Sequence, residues 1–477
     1  SCGIDLALIP GIGDNSGMSL EITEDLIARQ SPEAQAIIRL LIEQNAQLKK
    51  RIEALEARLS KTSRNSSKPP SSGHPHAKPE PQKKTKSKRK RGGQFGHQQF
   101  ERSLIPASEC AAVIPCRPVE CRGCGKALRG MDSEPLRQQV WDVEIRPVVT
   151  EYQQHRLTCR GCGIATCGTL PATVTGRTGP VLASLLVLMT SWFRVSRRKA
   201  AMFSSDICQV PCSGGHVSDL EARATAALQP VYNELAQALP EQPNLAIDET
   251  PFKRGTVKTW LWTFVATSFT VFVLRPTRKA VVLTSTIGAD FPGSINCDRA
   301  KMYFQHEVLQ WCWAHLKRDF QSLVDSPDNQ LKRLGHDLLR ETKKLFIEYA
   351  KCRDGTITYA TLKRNLQPVR RKVEALLLRG FGTGAHGMCK ELYTHKEHLW
   401  TFLRDPHIEP TNNAAERSLR HGVIWRKLSF GTQSERGDRF VETMLTIIET
   451  CRKQERNVLQ FVTQIIGQAS PTKSLLT

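Results

Sequence analysis

The first regular pattern in the chain is a heptad. In "EAQAIIRLLIEQNAQLKKRIEALEARLSK", residues 33–61, core positions recur at spacings of three and four, with Ile38, Asn45, Ile52 and Leu59 at a and Leu41, Leu48 and Leu55 at d. Isoleucine at a with leucine at d favours two parallel strands, and a lone Asn at a sets their register at some cost in stability. The segment is therefore expected to pair two copies of the chain as a homodimer, with Arg51 at g facing Glu56 at e of the second copy. A single amphipathic helix packed on its own protein is the alternative.

Periodicity then vanishes. Residues 62–105 hold Ser, Pro, Gly and Lys with almost nothing apolar to bury, so they are expected to be disordered alone. Residues 106–172 alternate weakly around two Cys-x-x-Cys pairs. Residues 173–242 read helical, in "GPVLASLLVLMTSWFRVSRRKAAMFSSD" and "VSDLEARATAALQPVYNELAQAL" on either side of the polar break "CSGGH". Two helices and a short turn fit a helix-turn-helix or ordinary packing equally well.

After "LPEQP" the period changes to two. "NLAIDET", "TWLWTFVAT" and "FTVFVLRPT" predict three strands, "RKAVVLTSTIGADF" a helix and "GSINCD" a fourth strand. "LQWCWAHLKRDFQSLV" predicts a short strand running into a helix, and a largely helical stretch follows to about residue 405. A further helix opens at Pro410, with Thr411, Asn412 or Asn413 as its cap.

Composition narrows the function. The 477 residues, 40% hydrophobic and 24% charged, are ordinary globular material, enough for roughly three domains. Sixty-eight Lys plus Arg against forty-six Asp plus Glu leave a net charge of +22, which suits a polyanion, most commonly nucleic acid. The fifteen Cys come with no secretion signal at the N-terminus, so reduced thiols and a cytoplasmic protein are expected. The longest uncharged runs fall short of the ~20 apolar residues that span a bilayer, so no membrane span is expected. The first residue is Ser rather than Met, as expected of a start that is processed or cut.

Two features of the amino-terminal third carry chemistry. Lys83, Lys84, Lys86, Lys88, Arg89, Lys90 and Arg91 form a run with no acid nearby, which binds a phosphate backbone without choosing a sequence. A solvated linker is the bland alternative. Cys121, Cys124, Cys159 and Cys162 form two knuckles with the layout of a four-thiolate zinc ribbon, and a β-hairpin is expected between them. Cys110, Cys116 and Cys167 are nearby substitutes for a ligand. Four sulfur ligands leave no open position, so such a zinc ion holds a fold and does no chemistry.

Three acids carry the rest. Asp248 and Asp298 end the first and fourth strands, and carboxylates side by side at neighbouring strand ends need a cation to offset their repulsion. Two Asp residues hold two divalent ions incompletely. Glu416, the acid in "PTNNAAERSLRHGVIWRK", would complete the site from a facing helix, with Arg417, Arg420, Arg426 and Lys427 toward phosphates. Two Mg²⁺ or Mn²⁺ ions ~3.5–4 Å apart on carboxylate oxygens suit in-line phosphodiester chemistry.

These residues resemble the DDE transposases of insertion-sequence family sixty-six. "NSSKPPSS" (65–72), "GGQFGH" (92–97), the double Cys-x-x-Cys, "DET" (248–250), "CWAHLKRDF" (312–320), "PTNNAAERSLR" (410–420) and "RKLSFGTQSERG" (426–437) are similar to that family's successive blocks, over nearly the whole chain after residue 33. The resemblance implies a multidomain α+β protein. It would have an unassigned start (1–32), a coiled-coil helix (33–61), a disordered basic linker (62–105), a zinc ribbon (106–172) and a helical DNA-binding region (173–242). An RNase H-like α/β catalytic core (243–323 and 406–450), an all-helical insertion (324–405) and a C-terminal helix and tail (451–477) would follow.

The resemblance further implies Asp248, Asp298 and Glu416 as the catalytic triad, Cys312 and His315 as active-site support, and double-stranded DNA as the partner, both element ends and target. Accessory proteins encoded by the same element and a bacterial, nucleoid-associated location are implied too. The chain departs from the family pattern at Phe95, where members usually have Pro, and at "RAKMYF" after the second Asp, which leaves Asp290 as an alternative second acid. A nuclease that only hydrolyses and a non-catalytic DNA-binding regulator are the competing functions. "GTGAHG" (382–387) lacks the strand-turn-helix context that gives its glycines meaning, and His395 with His398 has no third ligand.

Overall fold

The computed structural model describes residues 24–59, 102–174, 176–468 and 474–476. Along the chain run α1 (Glu24–Ala28), α2 (Pro32–Leu59), β1 (Arg156–Thr158), β2 (Ala165–Cys167), α3 (Pro180–Ser191), α4 (Arg197–Met202) and α5 (Gly214–Gln237). Then come β3 (Asn244–Arg254), β4 (Val257–Val265), β5 (Thr270–Arg275), α6 (Val281–Ile287), β6 (Ser294–Cys297), β7 (Leu309–Trp311) and α7 (Trp313–Val324). The rest is helical: α8 (Asn329–Arg353), α9 (Tyr359–Arg379), α10 (His386–Thr394), α11 (Asn413–Ser429), α12 (Glu435–Lys453) and α13 (Val458–Gly467). The chain is thus a mixed α+β protein. Among the described residues no helix is long and apolar enough to cross a membrane. The described residues divide into two compact units, one with those of 24–59 and 313–397 and the other with those of 102–312 and 398–476.

In the first unit α2 spans the heptad and leaves its d positions Leu41 and Leu48 exposed. α7, α8 and α9 pack in sequence, with Phe320, Leu334, Leu338, Leu362 and Leu376 buried. The starts of α8 and α9 are capped in the ordinary way: Asp328 Oδ1 accepts from Gln330 N at 2.7 Å, and Thr358 Oγ1 from Thr361 N at 3.2 Å. The segment "GTGAHG" follows a helix rather than a strand and enters α10.

The second unit is built on a five-stranded sheet of order β5-β4-β3-β6-β7. β3, β4 and β5 form an antiparallel meander, and β6 and β7 continue the sheet parallel to β3. β3 extends past the predicted "NLAIDET" to Arg254, where Gly255 at φ 58° makes the two-residue turn into β4. Its strands are buried on both faces, so they read as apolar runs. α6 is shorter than the sequence pattern suggested, ending at Gly288, φ 88°, which supplies the left-handed position that stops a helix.

The exposed edge of β5 is closed by α12. Thr450 Oγ1, Thr446 Oγ1 and Glu442 Oε1 accept the N–H groups of Thr270, Phe272 and Leu274 at 3.2, 3.0 and 2.6 Å. Four helical residues rise ~6 Å and two strand residues ~6.8 Å, so side chains spaced by four match alternate strand donors. This ladder satisfies an edge that would otherwise recruit another strand.

Its last rung carries a charge. Burial pushes the Glu442 carboxyl up to about 7, opposed by the Leu274 N–H and Arg275 and reinforced by Asp438. The folded protein therefore binds more protons than the unfolded chain between the ordinary glutamate range and pH 7, and stability falls as pH rises through that window. Glu442→Gln keeps the acceptor and removes the ionisation. It is expected to flatten the stability profile over that window and to exceed the parent above pH 7 by about 2 kcal/mol, measured by urea unfolding at a series of pH values.

Around the cysteine pairs the structure places one tight turn each. Cys121 N donates to Lys126 O and Gly125 N to Cys121 O, both at 2.9 Å; Cys159 N to Ile164 O and Gly163 N to Cys159 O repeat the pattern at 2.9 Å. Gly125 and Gly163 both take positive φ, 69° and 74°. The hairpin expected between the knuckles is absent: β1 and β2 flank the second knuckle, and residues 129–155 form no strand. That stretch is exposed, so its alternation has no apolar face to pair against.

Candidate active site

The site begins with strand register. β3 and β6 pair in parallel through Ala246 and Asn296. Asp248 on β3 and Asp298, one residue past the end of β6, each lie two residues further along, so the two are level across adjacent parallel chain segments. Asp248 Oδ1 accepts from Glu249 N at 2.9 Å, and Asp298 Oδ1 from Ala300 N at 2.8 Å. Asp290 lies in the exposed turn before β6, at the opposite end of that strand.

Glu416 arrives on the first turn of α11. Three contacts, two of them buried, fix where that helix starts. Asn296 Nδ2, on β6, donates to Glu409 O at 2.7 Å; Asn412 Nδ2 donates to Ile247 O at 2.7 Å; Asn412 N donates to Cys312 Sγ at 3.1 Å. Asn412 holds the cap position, yet its side chain makes no cap bond because it is committed to β3. Small residues let the helix close on the sheet: Ala415 packs against Ala246 and Val265, and at Gly422 a Cβ would collide with Leu261.

The three acids feel one another. The Asp248 carboxyl is raised well above the ordinary range, first by burial, then by Glu249 and Asp298 and, less, by Glu416. Clustered carboxylates of this kind are hard to ionise together without a cation.

Beside them lies a group the sequence reading missed. Glu249 is buried and held up to about 7 by burial and Asp298, while Arg278 and Tyr303 pull it down. Arg278 Nε reaches Glu249 Oε1 at 2.6 Å, and Tyr303 Oη donates to Oε2 at 2.5 Å. The available signal was a second acid in "DET" inside a strand with buried neighbours, where an acid needs a partner.

The predicted basic residues separate. Arg417, Arg420 and Lys427 are exposed on α11. Arg426 instead turns inward, with Nη1 donating to Pro251 O at 2.5 Å and Thr250 Oγ1 at 3.2 Å, so it ties α11 to β3. His315 lies on the first turn of α7, in the helical unit. The run from Lys83 to Arg91 lies outside the described residues.

Local backbone and side-chain hydrogen bonds to Cys121 and Cys159 hold those thiols below the ordinary cysteine range. No three of the Cys121, Cys124, Cys159 and Cys162 sulfurs lie within 4.8 Å of one another. The knuckles are formed singly and are not brought together.

These features define a class: a mixed-sheet α+β protein with acids at matched strand positions and a third acid on the helix that crosses them. The chain belongs to the Transposase IS66 family, whose sequence model matches residues 177–439 and so includes all three acids. Residues 24–103 match a family of unknown function. Among curated proteins, the chain is similar to uncharacterized protein y4qI of Sinorhizobium fredii (strain NBRC 101917 / NGR234), 23% identical over 74% of this chain and 71% of that one. It is equally similar to uncharacterized protein y4hP of the same strain, 23% identical over 74% and 70%. Membership makes the chain, broadly, a DNA-acting enzyme.

Proposed function

We propose that this protein is an insertion-sequence transposase that cuts DNA at the element ends and joins the freed 3′ hydroxyls to target DNA, using an RNase H-like core. The observation that carries the reading is the convergence of Asp248, Asp298 and Glu416, from two adjacent parallel strands and a helix pinned to them. An all-oxygen donor set with mutual repulsion fits Mg²⁺ or Mn²⁺. When bound, such ions activate the attacking oxygen and stabilise the leaving one.

The chain's own residues supply position. Strand register fixes Asp248 against Asp298, and Asn412 with Asn296 fixes the helix bearing Glu416. Arg417, Arg420 and Lys427, exposed on the same helix, suit phosphates on either side of the cut. Cys312 acts through Asn412.

The test is cleavage and joining of labelled end-containing DNA with Mg²⁺ or Mn²⁺, comparing the parent with Glu416→Gln. Loss of both steps with DNA binding retained is expected. Equal activity in the variant overturns the triad, and cleavage without joining makes the protein a nuclease.

Two supports complete the proposal. The exposed d positions of α2 pair with those of a second copy, and Cys121, Cys124, Cys159 and Cys162 are the four thiolates that would hold one structural Zn²⁺. Elemental analysis is expected to give about one zinc per chain, lost in Cys159→Ser, and sedimentation a dimer mass. A zinc-free or monomeric parent removes the respective support. The basic run Lys83–Arg91 adds non-specific DNA affinity, and accessory proteins of the same element are further partners.

A further inference from the structure

We infer that Arg278 is a catalytic residue, a fixed cation that donates hydrogen bonds to a non-bridging oxygen of the scissile phosphate; this rests on the proposed transposase chemistry. Arg278 lies in the link between β5 and α6, a part of the chain to which no chemistry has so far been given. Its guanidinium is clamped on one edge. Nε lies 2.6 Å and Nη2 2.5 Å from Glu249 Oε1, and the guanidinium carbon stands 5.2 Å from the centre of the Trp260 ring. Tyr303 occupies the other oxygen of Glu249 at 2.5 Å. Glu249, with 1% of its side chain exposed, therefore has both oxygens committed and serves as an anchor, not as a fourth ligand.

The other edge of the guanidinium is open. Its side chain is 41% exposed, its Nη2 lies 3.9 Å from Asp298 Oδ2, and among the described residues Nη1 bonds no acceptor. A planar fork with five donors, two of its nitrogens spent on a buried acid, still presents donors beside one of the three clustered carboxylates. Burying Glu249 merely to be neutralised would be a poor use of the position, because an apolar side chain stabilises as well or better. Burying it beneath a half-exposed arginine makes sense if the orientation of that arginine matters. A donor held in place before the reaction needs no reorganisation when charge develops on the phosphate.

The test separates this role from simple charge compensation. In the double variant Glu249→Gln with Arg278→Gln the buried charge and its counter-ion leave together. If Arg278 contacts the phosphate, this variant binds end-containing DNA like the parent but cleaves it about 10²-fold more slowly in single turnover. Replacing one non-bridging oxygen of the scissile phosphate by sulfur, as separate stereoisomers, adds a second readout. The parent is expected to distinguish the two isomers, and the difference should shrink in the variant. Should the double variant fail to fold, Arg278→Lys keeps the charge on Glu249 but loses the fork, and is expected to fold and show the same slow cleavage and smaller isomer difference.

Parental cleavage in the double variant overturns the inference, as does a slow variant with the isomer difference unchanged. Parental behaviour of Arg278→Lys does so too. A parent that cleaves no end-containing DNA overturns the transposase reading itself, and the inference with it.

Discussion

Asp248→Asn is expected to eliminate strand cleavage and joining, by at least about 10³-fold, and at the same time to make the metal-free protein more stable. Both effects follow from one arrangement. Asp248 sits on the central strand with Glu249, Asp298 and Glu416 around it, and its carboxyl is held far above the ordinary range by burial and by those charges. A raised folded-state value means that the carboxylate is destabilised relative to the unfolded chain once the pH exceeds the ordinary aspartate range. Asn is nearly the same shape, still accepts from Glu249 N, and carries no charge. The metal-free variant should therefore melt a few degrees higher near neutral pH, at roughly 2–4 °C per kcal/mol for a unit of this size. Adding Mg²⁺ or Mn²⁺ should raise the melting temperature of the parent more than that of the variant, because only the parent keeps the full ligand set. Thermal scans with and without the ion, beside the cleavage assay, check all of this. A variant that is both inactive and less stable without metal would mean that Asp248 is a structural acid.

The second large effect is expected at Gly431. α11 ends at Ser429, Phe430 takes φ 57° and Gly431 takes φ 105°. The next residue docks on the end of the β3–β4 hairpin: Thr432 N donates to Lys253 O at 2.9 Å, and Gly255 N donates to Thr432 O at 2.7 Å. A Cβ on Gly431 would run into the Lys253 carbonyl oxygen, a backbone atom that cannot step aside. Gly431→Ala combines positive-φ strain with overpacking and is expected to cost about 3 kcal/mol, a fall of roughly 10 °C in melting temperature. Gly255→Ala is the control. Its φ of 58° is also left-handed, but the nearest atom to an added Cβ is Gln433 Oε1 at 3.9 Å, so only strain of about 1 kcal/mol remains. Equal effects at the two glycines would show that backbone conformation alone decides, and that the docking on Lys253 contributes nothing.

The wildcard between these two positions is how α11 carries its acid to the sheet. Its C-terminal end is held by the Gly431 crossing and its N-terminal end by Asn412. Loosening either end should weaken chemistry through the placement of Glu416, even when no acid has been changed.

Much of this was legible from the sequence. Short apolar runs located the strands carrying Asp248 and preceding Asp298, because a strand buried on both faces is apolar throughout and not at alternate positions. The Pro410 opening located α11. Other features were not legible. The sequence left the cap of α11 open among three residues, and the structure shows Asn412 in that place with its side chain bonded elsewhere. Arg426 shares a segment with Arg417 and Arg420, yet it faces Thr250 and Pro251. Helical spacing separates faces only approximately, and a half-buried arginine looks like an exposed one until its acceptors are known. The hairpin expected between the cysteine knuckles failed for a related reason: alternation permits a strand but does not supply a partner for it.

The sequence by itself determined most element types, the mixed α+β class and the two preformed cysteine turns, all of which rest on periodicity or on short-range geometry. Tertiary structure alone decided which positions meet. The parallel register of β3 with β6 sets Asp248 against Asp298, buried amides of Asn296 and Asn412 bring in Glu416, and Glu249 acquires Arg278 from 29 residues away. Each of these depends on a hydrogen bond between groups distant in the chain, and a bond of that kind imprints no period on the sequence.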